Sequence, residues 1–508
     1  MNTHKFISMP VISHFIMMGD SLSDRGTLDH RYLFGIIPMA WLGGLTGKSP
    51  RGRFTNGFAW SDDISATLAD EFIIHRAENK GTLGGGQKKY NFNAADVSDD
   101  ILTQRKATDA NANSDQKTHL DTTDIADNVI SDRHFQRSIQ HSYTLDNDLY
   151  VQYRGRDFVR SYDEGGLTAH DYSWIPSTSI SRFFSRLILS TLGKKREALL
   201  DHDKKLEVSV TQKKQTLIIE WSGANDLITV NARPSEEEAD RAISDRISNA
   251  EKLIKQGYRN FVLFNLPDLS LTPRFQNMTG EDGNRERQNA QNISKYFNDN
   301  LLIACALLQK KYSGSSVEVF DIGAVFTDIY DDTKDQTNRY PGRFELDKLK
   351  TPYTKSKDFV IKNGLSPASG YMFWDDVHPT ANMHALLADQ FYKTYQNKYM
   401  FSAPKIETAK MLCDTFRKKY SDKFNKDVHG FFGLFRRSNL PKIDYTNPDQ
   451  ALAMILKHAL YSGGNRTRGA ITDLQWIDAK GNINVQIPAL KAAKAELDAI
   501  SRPALRKG

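Results

Sequence analysis

The chain has 508 residues, 39% hydrophobic and 26% charged, the balance of a globular protein of two or three domains with a sizeable core. No run reaches the roughly 18 consecutive apolar residues of a membrane-spanning helix. Two cysteines, Cys305 and Cys413, are too few for a disulfide framework or a cysteine-based zinc site. The net charge of +6 is unevenly spread: residues 401–508 carry 19 Lys/Arg against 10 Asp/Glu, a balance of +9 that leaves −3 for residues 1–400.

The first apolar run, residues 11–18, is followed by no small-residue cleavage site, so it reads as a buried strand rather than a secretory leader. The expectation is a protein with no classical signal, working in the cytoplasm or exported by a non-classical route, into a host cell for example. Three further runs, 216–221, 260–266 and 317–322, are β-branched and aromatic without alternation, the pattern of strands covered on both faces. Helical patterns fall between and after them. Ser235 to Glu238 forms a capping box ahead of a helix over 239–256, which Gly257 stops, and two more helices are expected over about 285–311 and 381–396. Strands alternating with helices predict an α/β fold, a three-layer sandwich with a mostly parallel sheet, over residues 1–400.

Residues 96–132 are rich in Asp, Asn, Thr, Ser and Ala and read as a loop or insertion. With the mixed stretch that follows, whose apolar patch at 183–189 suggests a lid helix, they form an expected insertion or lid over about 96–215. Residues 401–508 read as a basic, mainly helical second domain. There is no solenoid-type repeat.

Ser21 follows the first predicted strand directly, in Gly19-Asp20-Ser21-Leu22. The carboxyl ends of strands are where α/β sheets bind ligands, although a serine there also serves as a plain helix cap. A serine nucleophile needs a base, and the base a partner that fixes its tautomer. Asp375-Asp376-Val377-His378 places a carboxylate and an imidazole within one turn. At the end of the 216–221 strand, Gly223-Ala224-Asn225-Asp226 offers a side-chain amide for an oxyanion, where loss of one donor typically costs about 100- to 1000-fold in rate. Its plain alternative is a Gly-Asn turn.

In order and combination these segments resemble the GDSL family of SGNH hydrolases, in its bacterial phospholipase A/lysophospholipase A and glycerophospholipid–cholesterol acyltransferase-like branch. The resemblance covers roughly residues 11–395 and extends to Gly52-Arg53-Phe54-Thr55-Asn56-Gly57 and Asn265-Leu266-Pro267-Asp268-Leu269. It implies Ser21 as nucleophile and backbone oxyanion donor, Asn225 as side-chain donor, and Asp375 with His378 as the acid–base pair. Asp20 and Gly223 are supporting residues. Asp375 is preferred to Asp376 by the family's spacing alone. A further glycine N–H comes, in the family, from an Asn-Phe/Tyr-Ala-x-Gly-Gly run. The closest segment noted is Tyr90-Asn91-Phe92-Asn93-Ala94-Ala95-Asp96, which puts Ala95 in the glycine's place and departs from the pattern.

The expected activity is that of a serine esterase on acyl esters of lipids, a phospholipase A or lysophospholipase A with acyl transfer as a further outcome, using no metal or organic cofactor. A short-chain or carbohydrate acetyl esterase, and a membrane-binding protein of little activity, are the alternatives. The dispersed charges of the C-terminal region suit a solvated helical surface, and no nucleic-acid partner is expected. Within that region Phe431, Phe432, Phe435, Arg436 and Arg437 suit peripheral contact with an anionic lipid surface or docking on the catalytic domain. Gly43 to Ser49 lacks the first glycine of a phosphate loop, Leu42 standing there, and no Gly-x-Ser-x-Gly elbow occurs.

Overall fold

The computed structural model describes residues 9–33, positions within 36–72, 143–144, 150–153, 156–404, 409–420 and 443–501, apart from short gaps at 177–178, 207, 232, 341–342, 362–365, 462–464 and 486. The loop expected at 96–132 lies outside the described residues.

Seven strands form one sheet: β1 (His14–Gly19), β2 (Tyr143–Thr144), β3 (Tyr150–Tyr153), β4 (Arg156–Ser161), β5 (Thr216–Trp221), β6 (Asn260–Phe264) and β7 (Ser316–Phe320), in the order β7-β6-β5-β1-β4-β3-β2. The pairs β7–β6, β6–β5, β5–β1 and β1–β4 are parallel, with His14 opposite Thr216 and Gly19 opposite Trp221. The strand that delivers Ser21 is therefore central, held on both edges. Within the 260–266 and 317–322 runs the strands end at Phe264 and Phe320, where the Asn265 N–H still donates to the Phe320 carbonyl at 3.1 Å and Asn265 Nδ2 donates to Asp321 Oδ1 at 2.7 Å.

β4, a member of the sheet, falls inside the stretch expected to be an insertion or lid over about 96–215. Phe158 and Val159 are buried, but Arg156, Asp157 and Arg160 break the apolar run that marks the other central strands.

Among the helices before residue 400 are α1 (Ile180–Ile188), α2 (Leu192–Lys205), α3 (Ala224–Ile228), α4 (Glu236–Lys255), α5 (Gly280–Lys311), α6 (Ile322–Asp335) and α7 (Ala381–Tyr395). The two-residue period of the strands sorts their side chains. Ile16, Met18, Ile218, Phe261 and Leu263 point to one face and pack with residues of α2, α4 and α5. Trp221, Phe264 and Phe320 point to the other, where Phe391 and Tyr395 of α7 and Trp60 close over them, with Phe264 4.8 Å from Trp60 and 5.5 Å from Phe391 between ring centroids. The result is the expected α/β sandwich with helices on both faces of a mostly parallel sheet. α4 starts as its sequence dictates: Ser235 Oγ accepts the Glu238 N–H, and three glutamates complement the helix dipole in the first turn.

By contact the chain divides into two compact units, Met1–Val151 with Phe158–Ala403, and Gln152–Asp157 with Pro404–Gly508. The second carries α8 (Ala409–Tyr420), α9 (Pro448–Tyr461), α10 (Asn465–Asp473) and α11 (Pro488–Ser501), packed around Phe416, Leu452, Ile455, Ile471, Trp476 and Leu490. Among the described residues no helix is long and apolar enough to cross a membrane.

The segment after Ser21 is anchored by a buried ion cluster. Arg25 Nε and Arg53 Nε donate to the two oxygens of Asp62 at 2.7 and 2.6 Å. Burial alone would raise the Asp62 pKa, but the two guanidiniums outweigh it and hold the carboxyl at about 2. Its stabilisation is full above the unfolded carboxylate value of 3.8 and is lost as pH falls through about 2. Asp62→Ala removes the carboxylate that two buried cations share, so it is expected to cost about 3–5 kcal/mol, read as a lower urea midpoint. An unchanged midpoint would show that the cluster contributes no stability.

Candidate active site

β1 ends on Gly19 because nothing larger fits: a Cβ there would sit 2.7 Å from the Trp221 carbonyl oxygen and 2.9 Å from Ser23 Oγ. The chain then turns tightly. The Asp20 N–H donates to the Trp221 carbonyl at 3.2 Å, and the Asp20 carboxylate and carbonyl accept from the N–H groups of Leu22 and Ser23. Ser21 is left at the carboxyl end of the central strand.

His378 arrives from the far end of the chain. Its carbonyl accepts the Trp374 N–H at 2.8 Å, closing a narrow loop, and Asp375 Oδ1 accepts the N–H groups of Val377 and His378 at 2.9 and 2.8 Å. That leaves Asp375 Oδ2 2.7 Å from His378 Nδ1, while His378 Nε2 lies 2.7 Å from Ser21 Oγ. Phe54 flanks the imidazole, 4.9 Å away between ring centroids. Asp376 is engaged by Lys355 instead. With the Nδ1 proton on the Asp375 side, Nε2 accepts from the Ser21 hydroxyl, the arrangement for general-base removal of its proton.

Electrostatics favour charge on the imidazole. Burial works against it, but the Asp375 carboxylate and, more weakly, Asp20 raise His378 above its ordinary value. Burial pushes Asp375 up, yet the His378 charge and the hydrogen bonds it accepts keep it below the usual carboxylate range. Asp20, sealed beside them, is pushed up to about 7 by burial, with the Leu22 N–H and His378 pulling the other way.

Asn225 lies in the first turn of α3. The residue before the helix is Gly223, at φ +114°, where a Cβ would meet the Phe297 ring at 2.7 Å. Thr229 Oγ1 donates to Asn225 Oδ1 at 2.6 Å and Asn225 Nδ2 donates to the Leu167 carbonyl at 3.1 Å, which fixes the amide and leaves its second N–H without a partner among the described residues. Ser21, Asp20, Asn225 and His378 all line one cavity of about 250 Å³ whose walls are otherwise mostly apolar.

Two more lining residues, Gly165 and Gly166, went unrecognised in the sequence. They follow β4 in Ser161-Tyr162-Asp163-Glu164-Gly165-Gly166, which keeps the aromatic-x-x-Gly-Gly spacing with Ser in place of Asn and Asp in place of Ala. The signal was present but hung on a strand the apolar pattern concealed. The Gly165 N–H donates to Asp24 Oδ2 at 2.7 Å, whereas that of Gly166, at φ +77°, makes no hydrogen bond among the described residues. Ala95, and Phe431, Phe432, Phe435, Arg436 and Arg437, lie outside the described residues.

The apolar patch at 183–189 is helical, as α1. Ser185, Ile188 and the following Leu189 line the cavity, while Ile180, Phe183, Phe184 and Leu187 are exposed on its outer side. Trp174 is 89% exposed. Among the described residues no cluster of His, Cys, Asp or Glu is placed to hold a metal ion, and Cys305 and Cys413 are separate buried thiols.

A serine, an imidazole and a carboxylate in one hydrogen-bonded line, set at the strand ends of an α/β sheet and open to an apolar cavity, define a carboxylic ester hydrolase. The chain belongs to the GDSL-like lipase/acylhydrolase family, matched over residues 15–391. It is 26% identical over 239 residues to a phosphatidylcholine-sterol acyltransferase of Aeromonas hydrophila, covering 39% of this chain and 68% of that one. It is 25% identical over 183 residues to the thermolabile hemolysin of Vibrio parahaemolyticus, covering 34% and 40%, and 28% identical over 155 residues to a GDSL esterase/lipase of Arabidopsis thaliana, covering 30% and 42%. The chain thus spans about two thirds of the acyltransferase's length and under half of the other two.

Asp375→Asn is expected to lower the His378 pKa, followed by the imidazole NMR shifts against pH. A titration identical to wild type would mean that Asp375 does not act on the ring.

Proposed function

We infer that the protein is an acyl-lipid hydrolase, a phospholipase A or lysophospholipase A that works through an acyl-enzyme on Ser21 and can pass the acyl group to an alcohol as well as to water. The observation that carries this is the 2.7 Å contact of Ser21 Oγ with His378 Nε2 at the end of an apolar cavity whose wall continues into α1. The exposed outer side of α1, with Trp174, supports contact with a lipid surface at the cavity's mouth. A sugar acetyl esterase has no use for such a wall. The name of the acyltransferase relative favours acyl transfer as a second outcome.

In this reading His378 takes the Ser21 proton as Oγ attacks the ester carbonyl. The oxyanion is held by the Ser21 N–H, the second amide N–H of Asn225 and, in the role expected of Ala95, the Gly166 N–H. Asp375 stabilises the imidazolium. Collapse breaks the C–O bond, and His378 returns its proton to the departing alkoxide. Water or an acceptor alcohol then reverses the sequence and frees Ser21. Nothing in these steps calls on a metal or organic cofactor.

Ser21→Ala is expected to reduce hydrolysis of phosphatidylcholine and lysophosphatidylcholine by about 10⁴-fold or more, with wild type preferring long-chain esters to p-nitrophenyl acetate. Equal activity of the two proteins would end the proposal, and a preference for acetyl esters would end its lipid part. Asn225→Ala should cost about 100- to 1000-fold in kcat. A kcat within a few-fold of wild type would remove Asn225 from the oxyanion site.

A further inference from the structure

Two guanidinium groups near the cavity have no part in the steps above. Arg274 lines the same cavity as Ser21 and His378. Its backbone N–H donates to the carbonyl of Asp376 at 2.9 Å, which ties it through the main chain to the loop that carries His378. The residue is half-buried, and its guanidinium lies 5.8 Å from the centre of the Phe275 ring.

What distinguishes Arg274 is that its side chain has no hydrogen-bonding partner among the described residues. Arg25 and Arg53 share Asp62, Arg246 has Glu220, and Arg186 is spread over the carbonyls of Ile175, Pro176 and Val230 and the side chain of Asn231. The Arg274 side chain makes no hydrogen bond or ion pair among the described residues. Asp376, the carboxylate whose charge reaches it, is engaged by Lys355, and Asp375 is committed to His378. The other charge felt at Arg274 is of its own sign, from Arg182 in α1, itself half-buried and without a carboxylate partner among the described residues. Burial, with Arg182 adding to it, presses the Arg274 guanidinium below its ordinary value, and Asp376 only partly opposes this. A partly desolvated cation beside a like charge is held at a free-energy cost that an arriving anion removes. A guanidinium matches the two oxygens of a phosphate in a planar, bidentate fashion.

We propose that Arg274, assisted by Arg182, is the subsite for a substrate phosphate, so that the enzyme selects acyl esters with a phosphodiester near the scissile bond over neutral esters of the same chain length. The proposal rests on the esterase reading of Ser21 and names the substrate class of that site.

The test compares kcat/KM for lysophosphatidylcholine and for a monoacylglycerol of the same chain in wild type, Arg274→Gln, Arg274→Lys and Arg182→Gln. The phospholipid-to-neutral ratio is expected to fall about 10- to 100-fold in Arg274→Gln, the worth of a charge-assisted hydrogen bond, mainly through KM. It should recover in part in Arg274→Lys and fall less in Arg182→Gln. An unchanged ratio, or an equal loss on both substrates, overturns the proposal. Binding of the same two lipids to Ser21→Ala, with and without Arg274→Gln, reads the subsite without turnover. If wild type hydrolyses neither substrate the esterase reading fails, while the binding arm still decides the phosphate site. Glycerophosphocholine should compete better than inorganic phosphate, and the reverse order would reject a headgroup as the source of the anion.

Discussion

One buried carboxylate, that of Asp24, holds the working end of the molecule together. Its two oxygens accept the N–H groups of Gly26, Thr27 and Leu28 at 2.9, 2.6 and 3.2 Å, and that of Gly165 at 2.7 Å across a separation of 141 residues. A carboxylate sealed from water is costly unless donors replace the water it has lost. Burial lifts Asp24 to about 6 even with four donors pulling it down. The turn carrying Ser21 and the turn carrying Gly166 are thus two clients of one anion.

The same device recurs at the next loop. Asp226 accepts the N–H groups of Ala169 and His170 at 2.8 and 2.9 Å, joining the start of α3 to the segment after Gly166. Asn56 joins the fourth: its Oδ1 accepts the Ala381 N–H at 2.7 Å and its Nδ2 donates to the Ser366 carbonyl at 2.8 Å, on either side of the His378 loop. Parallel strands deliver four loops to one edge, and buried side chains clasp their backbones. Such clasps supply the placement to within a fraction of an ångström that an ester-cleaving site requires.

Much of this was legible in the sequence, for identifiable reasons. Ser21 and Asn225 follow buried central strands with short apolar stretches, Phe15 to Met18 and Leu217 to Ile219, which makes both strands visible in the sequence. Asp375 and His378 are close in sequence, so local spacing foretells their contact. Gly165 and Gly166 gave no such signal, because the strand before them, β4, carries Arg156, Asp157 and Arg160 among its apolar residues. Arg274 is a different case. Its interest lies in the carboxylates being taken by other partners, a property of the folded arrangement that no local pattern encodes. Polar residues within a strand read as loop until their neighbours in the sheet are known.

The hydrogen bond between Ser21 and His378 spans 357 positions of the chain. A ribosome adding roughly 5–20 residues per second needs about 20–70 s to travel that distance. For that interval the nascent chain holds its serine with no imidazole beside it. Loops closed over such distances also form slowly. A cell making this ester hydrolase is thereby spared its chemistry until almost the whole matched region has been synthesised and folded. The long reach of one contact acts as a delay line between translation and attack.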